Sequence, residues 1–160
     1  MTRWLSPTEQ RQWRAFLSMQ RVLPEALDRD LREQTGISLG DYEILVHLSE
    51  SPERRVRMAD LAHATLASRS KLTHQVSRME QAGWVTRERC ESDARGQFAV
   101  MTDAGWDLIV RAAPVHVESV RRRLLDVLGD DFPEFGALCE RVAEPLVESL
   151  PGISAPLAPE

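Results

Sequence analysis

Residues 72–109 read LTHQVSRMEQAGWVTRERCESDARGQFAVMTDAGWDLI, and the order of elements they imply decides the fold. The stretch opens inside a helix, because Leu72, Val76 and Met79 stand at i, i+4 and i+7 and make one apolar stripe. Gly83 stops that helix. Two runs of strand type, Val85–Glu91 and Gln97–Met101, then pair across a loop at 92–96 that holds Asp93, Arg95 and Gly96. Thr102 or Asp103 caps the next helix.

Upstream, RVRMADLAHATL predicts a short extended piece over Arg55–Arg57 and a short helix from about Met58, with Leu61, Ala62 and Leu66 buried. Before it, SLGDYEILVHLSES predicts a helix capped by Asp41, with Tyr42, Leu45, Val46 and Leu48 on its apolar face and Pro52 ending it. At the N-terminus Ser6, Pro7 and Glu9 spell a helix start. Apolar residues then recur with helical period from Trp13 and Phe16 to Leu27 and Leu31. Pro24 removes a backbone donor there, which predicts a kink or break, and Gly36 ends the run. Downstream, a long helix reaches about Leu128 with Pro114 inside, and a last one covers about 133–150. The proline-rich tail, 151–160, is expected to be disordered.

Short helix, turn, second helix and hairpin in that order make a winged helix-turn-helix, mainly α with a small antiparallel β-wing. Residues 36–102 form this unit, and 1–35 with 103–150 form a separate helical unit. The chain has 160 residues, 42% of them hydrophobic, enough for one compact core. It shows no apolar run of membrane-spanning length and no signal-type N-terminus, so a cytoplasmic protein with no membrane partner is expected. Cys90 and Cys139 have no disulfide or metal spacing, and no H-x3-H pattern joins the four histidines. A glycine-rich phosphate loop, a nucleophile elbow and a paired-carboxylate motif are all missing, which argues against an enzyme. No cofactor is expected.

Net charge is −5, but it is unevenly spread. Residues 54–95 hold nine Arg/Lys against five Asp/Glu, a local +4 between acidic flanks. Phosphate attraction follows local charge, so a nucleic-acid partner stays open. Opposite the apolar stripe of 72–79 lie Ser70, Thr73, His74, Gln75 and Ser77, with Ser68, Arg69 and Lys71 at the helix start and Arg78 on its flank. Such side chains approach base edges and phosphates, and a helix N-terminus offers free amides to a phosphate. Arg95, braced by Asp93, suits the narrow minor groove.

The block 72–109 resembles the winged-helix core of the MarR family of bacterial transcription regulators. The matching marks are Leu72-Thr73, Arg78-Met79-Glu80, Ala82-Gly83-Trp84-Val85, Asp93-x-Arg95-Gly96 and Thr102-Asp103-x-Gly105, and the likeness extends over about residues 7–149. It implies six helices and an intertwined homodimer whose two wings read a pseudo-palindrome on double-stranded DNA. Half-sites would then lie about 34–36 Å apart. His74 and Ser77 depart from the arginine and aspartate common in relatives, so the base preference does not carry over.

The resemblance also implies a crevice for aromatic or phenolic acids between the winged unit and the dimer helices. Trp13, Phe16, Tyr42, His47 and His116 are its candidate lining. Two rival readings are a redox sensor built on Cys90, with Arg87 and Arg89 favouring a thiolate, and a winged helix that binds protein rather than DNA.

Overall fold

A computed structural model describes residues 1–90 and 93–149, and at 93–95 the backbone alone. The expected disorder of 151–160 lies outside the described residues. Helix α1 (Pro7–Thr35) starts on a reciprocal cap: the Glu9 amide donates to the Ser6 hydroxyl, and the Glu9 carboxylate accepts from the Ser6 amide at 2.7 Å. It ends at Gly36, whose φ of 80° is open only to a residue without Cβ strain. The expected break at Pro24 does not occur, and the helix runs on through it.

Helix α2 (Leu39–Ser49) is capped by Ser38, not by Asp41 as the sequence suggested. Asp41 sits one turn in: its amide donates to the Ser38 hydroxyl, which in turn donates to the Asp41 carboxylate at 2.6 Å. A 3-10 turn (Pro52–Arg54) leads into β1 (Arg55–Arg57), then α3 (Met58–Ala64) and α4 (Arg69–Gln81). Strands β2 (Val85–Cys90) and β3 (Asp93–Met101) follow. The expected two-stranded hairpin is a three-stranded antiparallel sheet in the order β1-β3-β2, because Val56 pairs with Ala99.

One feature of the wing differs from expectation. Strand β3 begins at Asp93 instead of Gln97, so Asp93, Arg95 and Gly96 belong to a strand and not to an open loop. The register jumps from Arg89↔Gln97 to Cys90↔Asp93, which leaves 94–96 within an irregularity of the ladder. The side chains of Asp93 and Arg95 lie outside the described residues, and with them the expected brace between the two.

Helix α5 (Asp103–Val120) is capped by Thr102, whose hydroxyl accepts from the Gly105 amide and donates to the Gly83 carbonyl at 2.7 Å. It continues through a π turn (Arg121–Leu125) into α6 (Asp126–Leu128). A 3-10 turn (Gly129–Asp131) then redirects the chain into α7 (Phe132–Ser149).

The core gathers Leu31, Ile44, Leu45, Leu48, Leu61, Leu72, Val76, Met79, Val85 and Leu108, drawn from α1 to α5 and the sheet. Leu66, expected inside, is 66% exposed. The α3–α4 turn holds it at a φ of 50°, while its own amide donates to the His63 carbonyl and the Ala67 amide to the Ala62 carbonyl, and its side chain is left in solvent. Helix α7 buries no residue within the protomer and leaves Leu138, Val142 and Leu146 open. Among the described residues, no helix is long and apolar enough to cross a membrane.

Candidate nucleic-acid interface

Helix α4 is polarised by its own sequence. Leu72, Val76 and Met79 face the core, and Ser68, Arg69, Ser70, Lys71, Thr73 and His74 are all exposed. Ser68 closes the N-terminus by accepting from the Lys71 amide at 3.2 Å. No acid stands in the first turn, and Glu80 is the single carboxylate of the whole helix. Arg69 and Lys71 therefore present positive charge beside the positive end of the helix dipole, with hydroxyls and an imidazole between them. Thr73 and Ser77 donate to carbonyls one turn back, at 2.7 and 2.8 Å, which fixes their rotamers.

Gln75 and Arg78, expected to face nucleic acid, turn elsewhere. The Gln75 amide donates to Asp41 Oδ1 at 3.1 Å, and the Arg78 guanidinium donates to the same oxygen at 2.9 Å. Asp41 is buried and its other oxygen is taken by Ser38. The carboxylate thus clasps α2 to α4. Gly40 makes room for it, since a Cβ there would lie 2.9 Å from Gln75 Nε2. Arg78 remains largely exposed and keeps donors free beyond this bond.

The sheet is tied to α4 by Arg87. Its guanidinium bonds the Ser77 hydroxyl and reaches the Thr73 carbonyl at 3.4 Å, and it pairs with Glu80 at 3.5 Å. Arg87 is accordingly directed at α4 and not at Cys90. Arg57 on β1 donates to the buried Cys90 sulfur at 3.1 Å. Arg55 and Arg57 also lie over the Phe98 ring, 4.2 and 5.3 Å from its centroid. These arginines brace the base of the wing by cation–π contact. Strand alternation alone had no way to single them out, because their ring partner is more than forty residues away.

The five candidate ligand residues fall into separate places. Tyr42 and His116 meet across the α2–α5 contact, ring centroids 4.6 Å apart. Burial pushes the His116 imidazole below its ordinary pKa and the Tyr42 phenol above its own, the latter helped by Glu50. His116 Nδ1 is buried with no hydrogen-bond partner among the described residues. Trp13 and Phe16 stack on each other at 5.5 Å, on an exposed face of α1. His47 is half-buried near the end of α2. A cleft of about 790 Å³ is lined by none of the five: it runs between α1, α2 and α4 past Asp28, Arg32, Glu43, Lys71, His74 and Arg78.

Comparison with known proteins agrees with this architecture. A family model described as MarR family matches residues 35–96. The HTH-type transcriptional regulator PecS of Dickeya dadantii is 30% identical over 129 residues, covering 80% of this chain and 77% of PecS. AbsC, a MarR family transcriptional regulator from Streptomyces coelicolor, superposes with a TM-score of 0.84 at 49% identity, over 91% of this chain and 98% of AbsC. Sco3205, a MarR family transcriptional regulator from the same organism solved in complex with DNA, gives a TM-score of 0.87 at 42% identity, over 97% and 98% of the two chains. Helix α4, the sheet that braces it and these likenesses converge: the chain belongs to the MarR family of winged-helix transcriptional regulators.

Proposed function

We propose that the protein binds duplex DNA as a homodimer, inserting the exposed face of α4 into the major groove of each half of a pseudo-palindromic operator and reaching the minor groove with Arg95. The observation that carries this reading is the outward surface of α4: Arg69, Lys71, Ser70, Thr73 and His74 stand clear of the core with no carboxylate among them, on a chain whose net charge is −5. Sco3205, a relative at 42% identity, is known in complex with DNA. A second copy is the natural cover for α7 and for the Trp13–Phe16 stack, whose apolar faces stay exposed among the described residues of one protomer. Operator occlusion makes the protein a repressor, acting where the chromosome is, in the cytoplasm.

Release by a small aromatic or phenolic ligand is the proposed input. The Tyr42–His116 pair supports it, offering ring surface and an unpartnered buried nitrogen at the contact between the winged unit and α5. A ligand preferring one arrangement of the two units by about 1–3 kcal/mol changes operator affinity some 5–150-fold.

A gel shift with the DNA upstream of the protein's own gene tests the first reading. Log affinity should fall against log salt with a slope of about −0.9 per phosphate contacted, and Arg69→Ala or Arg95→Ala should shallow it by about one contact. A monomer in solution, or no affinity for any duplex at low salt, overturns it. His116→Ala should blunt the response to an aromatic acid and spare DNA binding without it.

A further inference from the structure

Helix α1 carries two aspartates, two residues apart, that grip different units. At about 100° per residue they point roughly 200° apart around the helix axis. Asp28 accepts from the Leu39 amide at 2.8 Å, at the start of α2, and pairs with Arg32 at 2.6 Å. Asp30 faces the other way and is buried. It accepts from the Ser119 hydroxyl, from Arg122 at 3.0 Å, and from both Nε and Nη2 of Arg123 at 2.9 and 2.8 Å. Ser119, Arg122 and Arg123 stand at i, i+3 and i+4, so they share one face of the helix where α5 passes into the π turn. Such turns frequently interrupt helices at functional positions.

The two contacts have different partners but one support. Leu27 and Leu31, on either side of the pair in sequence, are buried in the protomer. One turn of α1 therefore couples α2, the first helix of the winged unit, to α5, a helix of the second unit. The forked Arg123–Asp30 contact is directional, and a fork holds an angle where a single point charge would not.

We propose that Asp28 and Asp30 form a two-sided joint that sets the separation of the two recognition helices, and so selects the half-site spacing of the operator. The proposal rests on the dimeric DNA-binding reading above. Adding one base pair between half-sites moves them apart by about 3.4 Å and turns one against the other by about 35°. A stiff joint cannot follow both changes, and a loosened one can. Asp28 and Asp30 are positioning residues here, because neither belongs to the exposed face of α4.

The test is a spacing series. A duplex recovered from a random-sequence pool by the wild-type protein is rebuilt with its half-sites one base pair closer, unchanged, and one base pair farther. Affinities are measured for wild type, Asp28→Asn, Asp30→Asn and Arg122→Ala. The last removes one contact and leaves the Arg123 fork, so it reports even where Asp30→Asn fails to fold. Wild type should prefer one spacing sharply. The variants should lower that preference about fivefold or more, with Arg122→Ala the mildest. Equal weakening at every spacing, unchanged affinities in folded variants, or a wild type indifferent to spacing overturns the joint. A wild type that recovers no duplex at all overturns the DNA-binding reading itself.

Discussion

The Asp41 clasp permits a quantitative prediction. Asp41→Ala removes three hydrogen bonds from a side chain only 8% exposed: those from Ser38, Gln75 and Arg78. Bonds to a charged acceptor contribute about 1.5 kcal/mol each where the donor is sheltered, as for Ser38 and Gln75. Arg78 is 65% exposed, so solvent screening reduces its share to about 0.5 kcal/mol. The total is about 3.5 kcal/mol, and for a chain of this size each kcal/mol lowers the melting temperature by about 2–4 °C. Asp41→Ala should therefore melt about 7–14 °C below wild type. Arg78→Ala should cost no more than ~0.5 kcal/mol, since its head group returns to water. A double-mutant cycle monitored by thermal and urea unfolding should show strong coupling of Asp41 to Gln75 and weak coupling to Arg78. Coupling in the reverse order, or an Asp41→Ala protein melting with wild type, refutes the reasoning.

Other outcomes follow from single observations. A Cβ at Gly105 would lie 2.2 Å from the Trp84 carbonyl oxygen, so Gly105→Ala must displace backbone and should lose about 2–3 kcal/mol in urea unfolding, whereas Gly40→Ala meets only the flexible Gln75 amide and should cost far less. Hydrogen bonds from Arg123 and Ser119 hold the Asp30 carboxyl well below the usual carboxylate range. Its contribution is then complete above about pH 4 and drains away as pH falls below that, so the urea midpoint of Asp30→Asn should vary less between pH 5 and 3 than that of wild type. His116 is depressed by burial, which means the unfolded chain takes up its proton first. Stability should fall as pH drops from about 6.5 toward the lowered folded value, and His116→Phe, measured by thermal unfolding at pH 7.5 and 5.5, should flatten that slope.

The elements themselves were legible because their signals are local. Ser6 with Glu9, Gly36, Gly83 and Thr102 act within one turn of where they stand, and each begins or ends a helix as read. The apolar stripe of α4 was legible for the same reason: helical period needs no knowledge of what the stripe packs against. Several misses turn on a partner far along the chain. The role of Asp41 as a link between α2 and α4 is invisible until Gln75 and Arg78, 34 and 37 positions on, are brought to it. Arg87 looks like a neighbour of Cys90 until the sheet folds it against α4. Leu66 reads as core by composition, and only the geometry of its turn places it outside.

The sequence by itself determined that this chain is a winged helix-turn-helix with a cationic middle, because period, caps and charge density are properties of short windows. Tertiary structure alone decided which of its cations remain free for a ligand. Arg69 and Lys71 stay exposed on the face of α4, while Arg87, Arg122 and Arg123 are bound to acceptors on other elements. A guanidinium is the same group in either setting, and the difference lies in whether folding brings an acceptor within hydrogen-bond reach.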